Sequence, residues 1–366
     1  MQRQYSVFLK RLLTLRKLSL KSRGVHFAYN SENKFDSNTN RRYTGNPHHI
    51  LSLNAKKEMM AKYMKIGDYE IHPWSISGIE SSTVVKLTTQ GQGDFRIAFD
   101  MGYCGREMVR AQYVFISHGH MDHISSVCHH AAKRSLYSMK PATYYVPPHL
   151  VEPLKTIAQQ FSKMHWDDRP ITHAPVLQNL DVQPISPGES VQLPRNRVVK
   201  PFPTCHRVTS QGYIIYHHEK KLKPAYQGLP SEEIQQLIKS GVDVKEVTVI
   251  PEIAYTGDTS FEIFESPPTP DLFLVKLLMT ESTYVCDDVD SKGQTSQEKA
   301  RERGHMHMND FIQNKQLFKN VSDIILMHFS DKYSLNYIRE RAKLLPPCLI
   351  NKVHLALIAA ETTRQS

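Results

Sequence analysis

The segment Ser117-His118-Gly119-His120-Met121-Asp122-His123 constrains this chain more than any other. It follows the apolar run 112–117, which reads as a buried strand. It precedes Ile124, Val127, Cys128, Ala131 and Ala132, which recur at helical spacing. His118, His120, Asp122 and His123 therefore stand in a strand-to-helix turn. Within a strand or a helix these side chains would diverge, whereas a turn at a strand end can aim all four at one point. Imidazole and carboxylate together suit zinc or a similar divalent ion. Two ions need more than four ligands, and further donors follow at strand ends. His206 comes after the run 197–202, Asp258 lies in Tyr255-Thr256-Gly257-Asp258, and His328 closes the run 323–327. Among 19 histidines a single one carries little meaning, and His129, His130, His217 and His218 read as solvated.

The rest of the body reads as short strands alternating with amphipathic helices. Residues 82–88 and 95–100 form a hairpin, and strands are expected at 142–146, 212–216, 246–255, 272–280 and 352–359. Helices are expected at 231–239, with Ser231 as N-cap, and at 295–303, 308–318 and 335–344. This order favours a layered α/β domain of about 300 residues. With 40% hydrophobic and 22% charged residues the chain is neither fully disordered nor fibrous. No run approaches the roughly 18 apolar residues of a spanning helix, so no membrane partner is expected. The five cysteines are widely spaced and lack a CxxC pair, which argues against a disulfide framework and for small buried apolar groups.

The net charge of +10 is misleading as a sign of nucleic-acid binding. Lys and Arg outnumber Asp and Glu 13 to 3 in residues 1–64, and the remaining residues hold 33 of each. Any polyanion held by the body must therefore meet segregated charge. Residues 1–31 contain no acid; Arg3, Lys10, Arg11, Arg16, Lys17, Lys21 and Arg23 are interleaved with leucines. This is the composition of an organelle presequence. A basic tail that binds RNA or an anionic membrane surface is the alternative. Residues 28–62 read as a linker, so 1–62 is expected to be presequence and linker, with the folded domain at 63–366.

Other motifs accompany the ligand set. Phe99-Asp100-Met101-Gly102 precedes it, and Ser210-Gln211-Gly212-Tyr213 follows His206. Glu281-Ser282-Thr283, Gly304-His305-Met306-His307 and His328-Phe329-Ser330-Asp331-Lys332-Tyr333 come later. With these the chain resembles the metallo-β-lactamase superfamily, and within it ribonuclease Z, the tRNA 3′-processing endonuclease, in its short plant-type form. The resemblance covers roughly residues 63–360. It implies an αββα sandwich with two zinc ions at one edge. It implies His118, His120 and His206 on one ion, Asp122, His123 and His328 on the other, Asp258 bridging both, and Asp100 holding the ligand loop in place. Such ions provide hydroxide near neutral pH for attack on a phosphodiester. Asp122 would also accept the water proton. His305, polarised by Glu281, would protonate the leaving ribose oxygen. The alternative is that His305 caps the helix after it.

The resemblance further implies a tRNA precursor as partner, and a homodimer is compatible with it. Many relatives have Gly-His-Ser-Thr where this chain has Gly-His-Met-His. Lys332 stands where an Arg is usual, which keeps the charge but loses the bidentate grip. The interval between His206 and Asp258 leaves 217–249 for a reduced arm. There Lys220, Lys221 and Lys223 read as an acid-free patch for the RNA backbone. The presequence points to the mitochondrion; chloroplast, or cytoplasm and nucleus, are the alternatives.

Overall fold

The computed structural model describes residues 63–89, 92–166 and 180–364. The expected presequence and linker lie outside the described residues. Two seven-stranded sheets face each other. The first holds β1 (Met64–Ile66), β2 (Tyr69–Ile76), β3 (Glu80–Thr89), β4 (Gln92–Phe99), β5 (Tyr113–Phe115), β6 (Ala142–Val146) and β7 (Leu180–Pro184), in sequence order. The second holds β8 (Val191–Leu193), β9 (Arg197–Pro203), β10 (Gln211–Leu222), β11 (Lys245–Tyr255), β12 (Leu277–Glu281), β13 (Asp323–Met327) and β14 (Val353–Leu355). In the first sheet β1 to β4 are antiparallel and β4 to β7 parallel. The second repeats the scheme, antiparallel from β8 to β11 and parallel from β11 to β14.

The layering follows from strands that are apolar on both faces. Val85, Ile97 and Phe115 point between the sheets to meet Ile215, Ile253, Leu277 and Ile325. Their neighbours Val84, Ala98 and Val114 point outward beneath Val127, Ala131 and Leu154. Ile214, Ala254, Leu278 and Ile324 point outward on the other side, beneath Phe264, Phe311, Phe318 and Ile338. Helices thus cover both outer faces, giving the αββα sandwich. Among the described residues no helix is long and apolar enough to cross a membrane.

Some local expectations fail for identifiable reasons. The strand expected at 272–280 begins only at Leu277, because Thr269 accepts a hydrogen bond from the Asp271 amide and starts a 3-10 turn over Pro270–Phe273. The strand expected at 352–359 stops at Leu355, and a helix follows over Ile358–Thr363 that buries Ala359 against the first sheet. The helix expected over 308–318 is interrupted at Asn314. Pro230, not Ser231, occupies the cap of Ser231–Lys239. Cys104, Cys128 and Cys286 are buried, Cys205 is half-buried and Cys348 is exposed.

His130 is not solvated. It is fully buried and hydrogen bonded to the Tyr144 hydroxyl at 2.6 Å and the Met108 carbonyl at 2.9 Å. Burial, with the Arg134 guanidinium adding repulsion, pushes it down to about 3. It stays neutral in the fold, whereas the unfolded chain takes up a proton below about 6.5. Its contribution is therefore complete above that pH and is lost as pH falls toward 3. Unfolding free energy should drop by about 1.4 kcal/mol per pH unit over that window on this account alone. Chemical denaturation of wild type and His130→Gln at pH 7 and pH 5 checks this: the acid loss should be smaller in the variant, and equal losses would contradict it.

Candidate metal centre

Every predicted ligand sits just beyond a strand, and these strand ends share one edge of the sandwich. Open α/β sheets bind ligands at the carboxyl ends of their strands. His118 and His120 follow β5, and Asp122 and His123 stand in the single helical turn Met121–Ile124 after them, so the helix starts earlier than expected yet is too short to make the donors diverge; His206 follows β9, Asp258 follows β11 and His328 follows β13. The donor atoms of His118, His120, His206 and Asp258 all lie within 4.8 Å of one another, as do those of Asp122, His123 and His328. Asp258 also reaches the second group, at 3.3 Å from His123 Nε2 and 3.4 Å from His328 Nε2. The structure thus brings all seven predicted ligands together, with Asp258 between two groups.

The outward-facing nitrogens show which way the imidazoles are poised. His206 Nδ1 donates to the Gly304 carbonyl at 2.7 Å, which leaves the Nε2 lone pair facing His120 Nδ1 at 3.3 Å. Ser117 Oγ donates to Asp100 at 2.8 Å, so it accepts from His118 Nδ1 at 2.9 Å. The His118 Nε2 lone pair then points at His120 Nδ1, 3.0 Å away. His123 Nδ1 donates to Asp100 at 2.7 Å. His120 Nδ1 could donate to only one of the His118 and His206 lone pairs, so at least one lone pair is left beside the carboxylates to meet a cation. The donor set therefore fits a divalent metal, with outer hydrogen bonds fixing each ring.

Asp100 is the buried hinge of this arrangement. Its carboxylate accepts from the Ser117 amide at 2.7 Å, Ser117 Oγ, His123 Nδ1 and the Tyr255 hydroxyl at 2.6 Å. The Gly78 amide donates to Asp122 Oδ2 at 2.9 Å, steadying that carboxylate from the β2–β3 turn. Ser117, Tyr255 and Gly78 had no role in the sequence reading. Ser117 and Tyr255 stand next to ligand motifs, which was the available signal; Gly78 acts through its backbone and left none.

Electrostatics follow the packing. Burial lowers His118 well below the imidazole range, and His123 beside it adds to this. Burial lowers His206 as well. His123 is driven the other way: its burial opposes charge, but Asp258 and Asp100 outweigh that and hold it well above. Burial would raise both Asp258 and Asp122, but His123 and His328 beside them keep both well below the carboxylate range. The carboxylates that keep His123 charged would equally hold a metal cation.

Glu281, at the end of β12, lies beside the cluster and is buried. His305 Nδ1 donates to it at 2.9 Å and lies 4.0 Å from Asp258. Burial disfavours a charged His305, but the pairing with Glu281 prevails and raises it to about 9. It is His307, not His305, that caps the following helix, through a reciprocal pair of bonds with Asn309 and Asp310. Lys332 lies over the Tyr284 ring at 5.2 Å and the Tyr333 ring at 4.7 Å.

Lys220, Lys221 and Lys223 are not at the cluster. β10 starts there, where the Gln211 amide bonds the Ser117 carbonyl, and runs away from it. At about 3.3 Å per residue the lysines are about 30 Å down the strand. They lie where β10 and β11 pair on as a hairpin beyond the sheet, Lys220 opposite Val247. The patch is not acid-free in space: Lys221 pairs with Glu219 at 2.9 Å and Lys223 with Asp243 at 3.6 Å.

No protein-family model matches the chain. The tRNase Z TRZ1 of Arabidopsis thaliana is 35% identical over 292 residues, 80% of this chain and 96% of that protein. This chain belongs to the tRNase Z family. The chloroplastic tRNase Z TRZ2 of the same plant is 31% identical over 286 residues, 78% of this chain and 74% of its own. Among solved structures, the short form of human tRNase Z aligns at 17% identity with a TM-score of 0.44, over 78% of this chain and 95% of that one.

The donor loop is wedged against Gly102. A β-carbon there would stand 1.6 Å from the Asp122 carbonyl oxygen and 2.9 Å from the Ser81 amide, both backbone. Gly102→Ala should therefore displace the loop, at a cost of about 1–3 kcal/mol. Thermal unfolding and retention of an added divalent metal after dialysis check this, and both should fall. An unchanged variant would mean that the loop is not held here.

Proposed function

We propose that this chain is a zinc-dependent endoribonuclease that removes the 3′ trailer of tRNA precursors. The observation that carries the reading is the joining, in a tRNase Z family member, of the seven-residue donor set to the pair of buried Glu281 and half-buried His305. His118, His120 and His206 would hold one zinc, Asp122, His123 and His328 a second, with Asp258 shared. When bound, zinc supplies Lewis acidity, lowering the pKa of water and neutralising charge on the phosphodiester.

The protein's own groups do the rest. Water adds to phosphorus, the bond to the ribose 3′ oxygen breaks, and that oxygen needs a proton. His305 carries one at neutral pH, and Glu281 fixes its Nδ1 so that Nε2 is the nitrogen left to give it. Asp122 would take up the water proton; a carboxylate held so acidic passes a proton on rather than keeping it. Lys332, braced between two tyrosines, would offer charge to a neighbouring phosphate. The lysine hairpin would meet tRNA far from the cut. Its surface ion pairs are each worth only about 0–1 kcal/mol, so they yield readily to phosphate.

Incubation with a tRNA precursor and mapping of the cut tests the reading. A single cut after the acceptor stem, leaving a 3′-hydroxyl, is expected. Hydrolysis of a small phosphodiester without tRNA cleavage would replace it with a different hydrolase on the same fold. Asp258→Ala should abolish cleavage, whereas His305→Ala should slow single-turnover cleavage by about 100-fold or more while zinc is retained. An unchanged rate removes His305 from the chemistry.

Replacing Lys220, Lys221 and Lys223 by Ala should weaken tRNA binding and flatten its salt dependence while sparing the small phosphodiester. Equal loss on both substrates would make the hairpin a support for the fold. Residues 1–31 would direct import, to the mitochondrion in preference to the chloroplast. A fused reporter that stays in cytosol or nucleus would contradict that.

A further inference from the structure

We infer that Thr283 is a positioning residue, its hydroxyl setting the tautomer of His328 and tying that ligand to the Glu281–His305 pair. The inference rests on the dinuclear reading above. Thr283 Oγ1 lies 2.5 Å from Glu281 Oε2 and 3.0 Å from His328 Nδ1. A carboxylate cannot donate, so the hydroxyl proton goes to Glu281, and the oxygen is left to accept from His328 Nδ1. The Nε2 lone pair of His328 is thereby directed at the cluster, where His123 Nε2 and Asp122 Oδ2 each lie 3.3 Å away.

The backbone supports the same assignment. His328 has a left-handed φ of 61°, which a residue with a β-carbon adopts only when its surroundings enforce it. The Ser330 amide donates to the Thr283 carbonyl at 3.1 Å and the Ser282 amide to the Met327 carbonyl at 2.8 Å, closing the two loops together on either side of His328. Thr283 thus grips the strained loop through its main chain and aims the ring through its hydroxyl. Ser117 repeats the pattern in the other sheet, donating to Asp100 and accepting from His118. Glu281 also accepts from the Thr259 and Met306 amides at 2.7 and 3.1 Å, so the relay ends on a fixed carboxylate.

The role separates from a packing role because valine keeps the shape of threonine without its hydroxyl, and serine keeps the hydroxyl without the methyl. Zinc affinity is to be measured by chelator competition on wild type, Thr283→Val and Thr283→Ser, with single-turnover cleavage alongside. Loss of such an outer hydrogen bond typically weakens metal binding about 10–100-fold. Thr283→Val should show that loss, while Thr283→Ser stays within about threefold of wild type. If Thr283→Val does not fold, Thr283→Ala replaces it, with the same expectation. Equal affinities in all the folded variants overturn the inference and leave the dinuclear reading standing. Loss in Thr283→Ser as large as in Thr283→Val also overturns it, since packing would then be the cause. A wild type that takes up no zinc overturns both.

Discussion

The carboxylate of Asp100 ties the site together. It stands at the end of β4, fully buried, and accepts four hydrogen bonds from Ser117, His123 and Tyr255. Ser117 opens the turn after β5, His123 belongs to the donor cluster, and Tyr255 ends β11 in the opposite sheet. One side chain therefore orients a ring, fixes the turn that carries four donors, and pins the two sheets at the edge where Asp258 follows. Breaking such a buried charge network by removing one partner costs about 3–5 kcal/mol. Glu281 has the corresponding place in the second sheet, where it accepts from Thr259, Thr283, His305 and Met306. Each sheet contributes one buried acid, and the clustered histidines and carboxylates lie between them.

Among the described residues, two of the five left-handed non-glycine positions stand at this edge. Asp100 and His328 have φ of 57° and 61°, in the left-handed region, where a residue other than glycine costs about 1–3 kcal/mol. Gly257 and Gly304 adopt similar angles without that cost. They lie so close to Ser117 and His206 that a β-carbon would come within 2.7 and 2.9 Å of them. The chain turns sharply at each strand end because the donors must converge over a few ångströms. The packed double layer below supplies the rigidity that keeps those turns in place.

Much of this was legible in the sequence because the donors are chemically distinctive and each follows an apolar run. The order of the donors and their strand-end placement could be read from residue type and spacing, whereas the Glu281–His305 pair came only with the family resemblance. What stayed hidden depends on three-dimensional neighbours. Lys223 looks unopposed along the chain, yet the loop before β11 brings Asp243 to it, whereas Glu219 stands two residues before Lys221 on the same strand and was there to be read. His130 looks like one of many polar histidines until the helix turns it onto Tyr144 and Met108. The apolar run 355–360 suits a strand as well as a buried helix turn, and only packing on the first sheet decides. Gly78 acts through an amide that no side-chain pattern reveals.

The proposed mechanism needs seven side chains from both sheets to hold two ions that share Asp258, with zinc as the ion. Elemental analysis of the purified chain, followed by zinc titration, tests this most directly. The account predicts close to two equivalents per chain. A single equivalent that does not rise when zinc is added would contradict it, since one of the two convergent groups would then be a hydrogen-bonded cluster rather than a metal site.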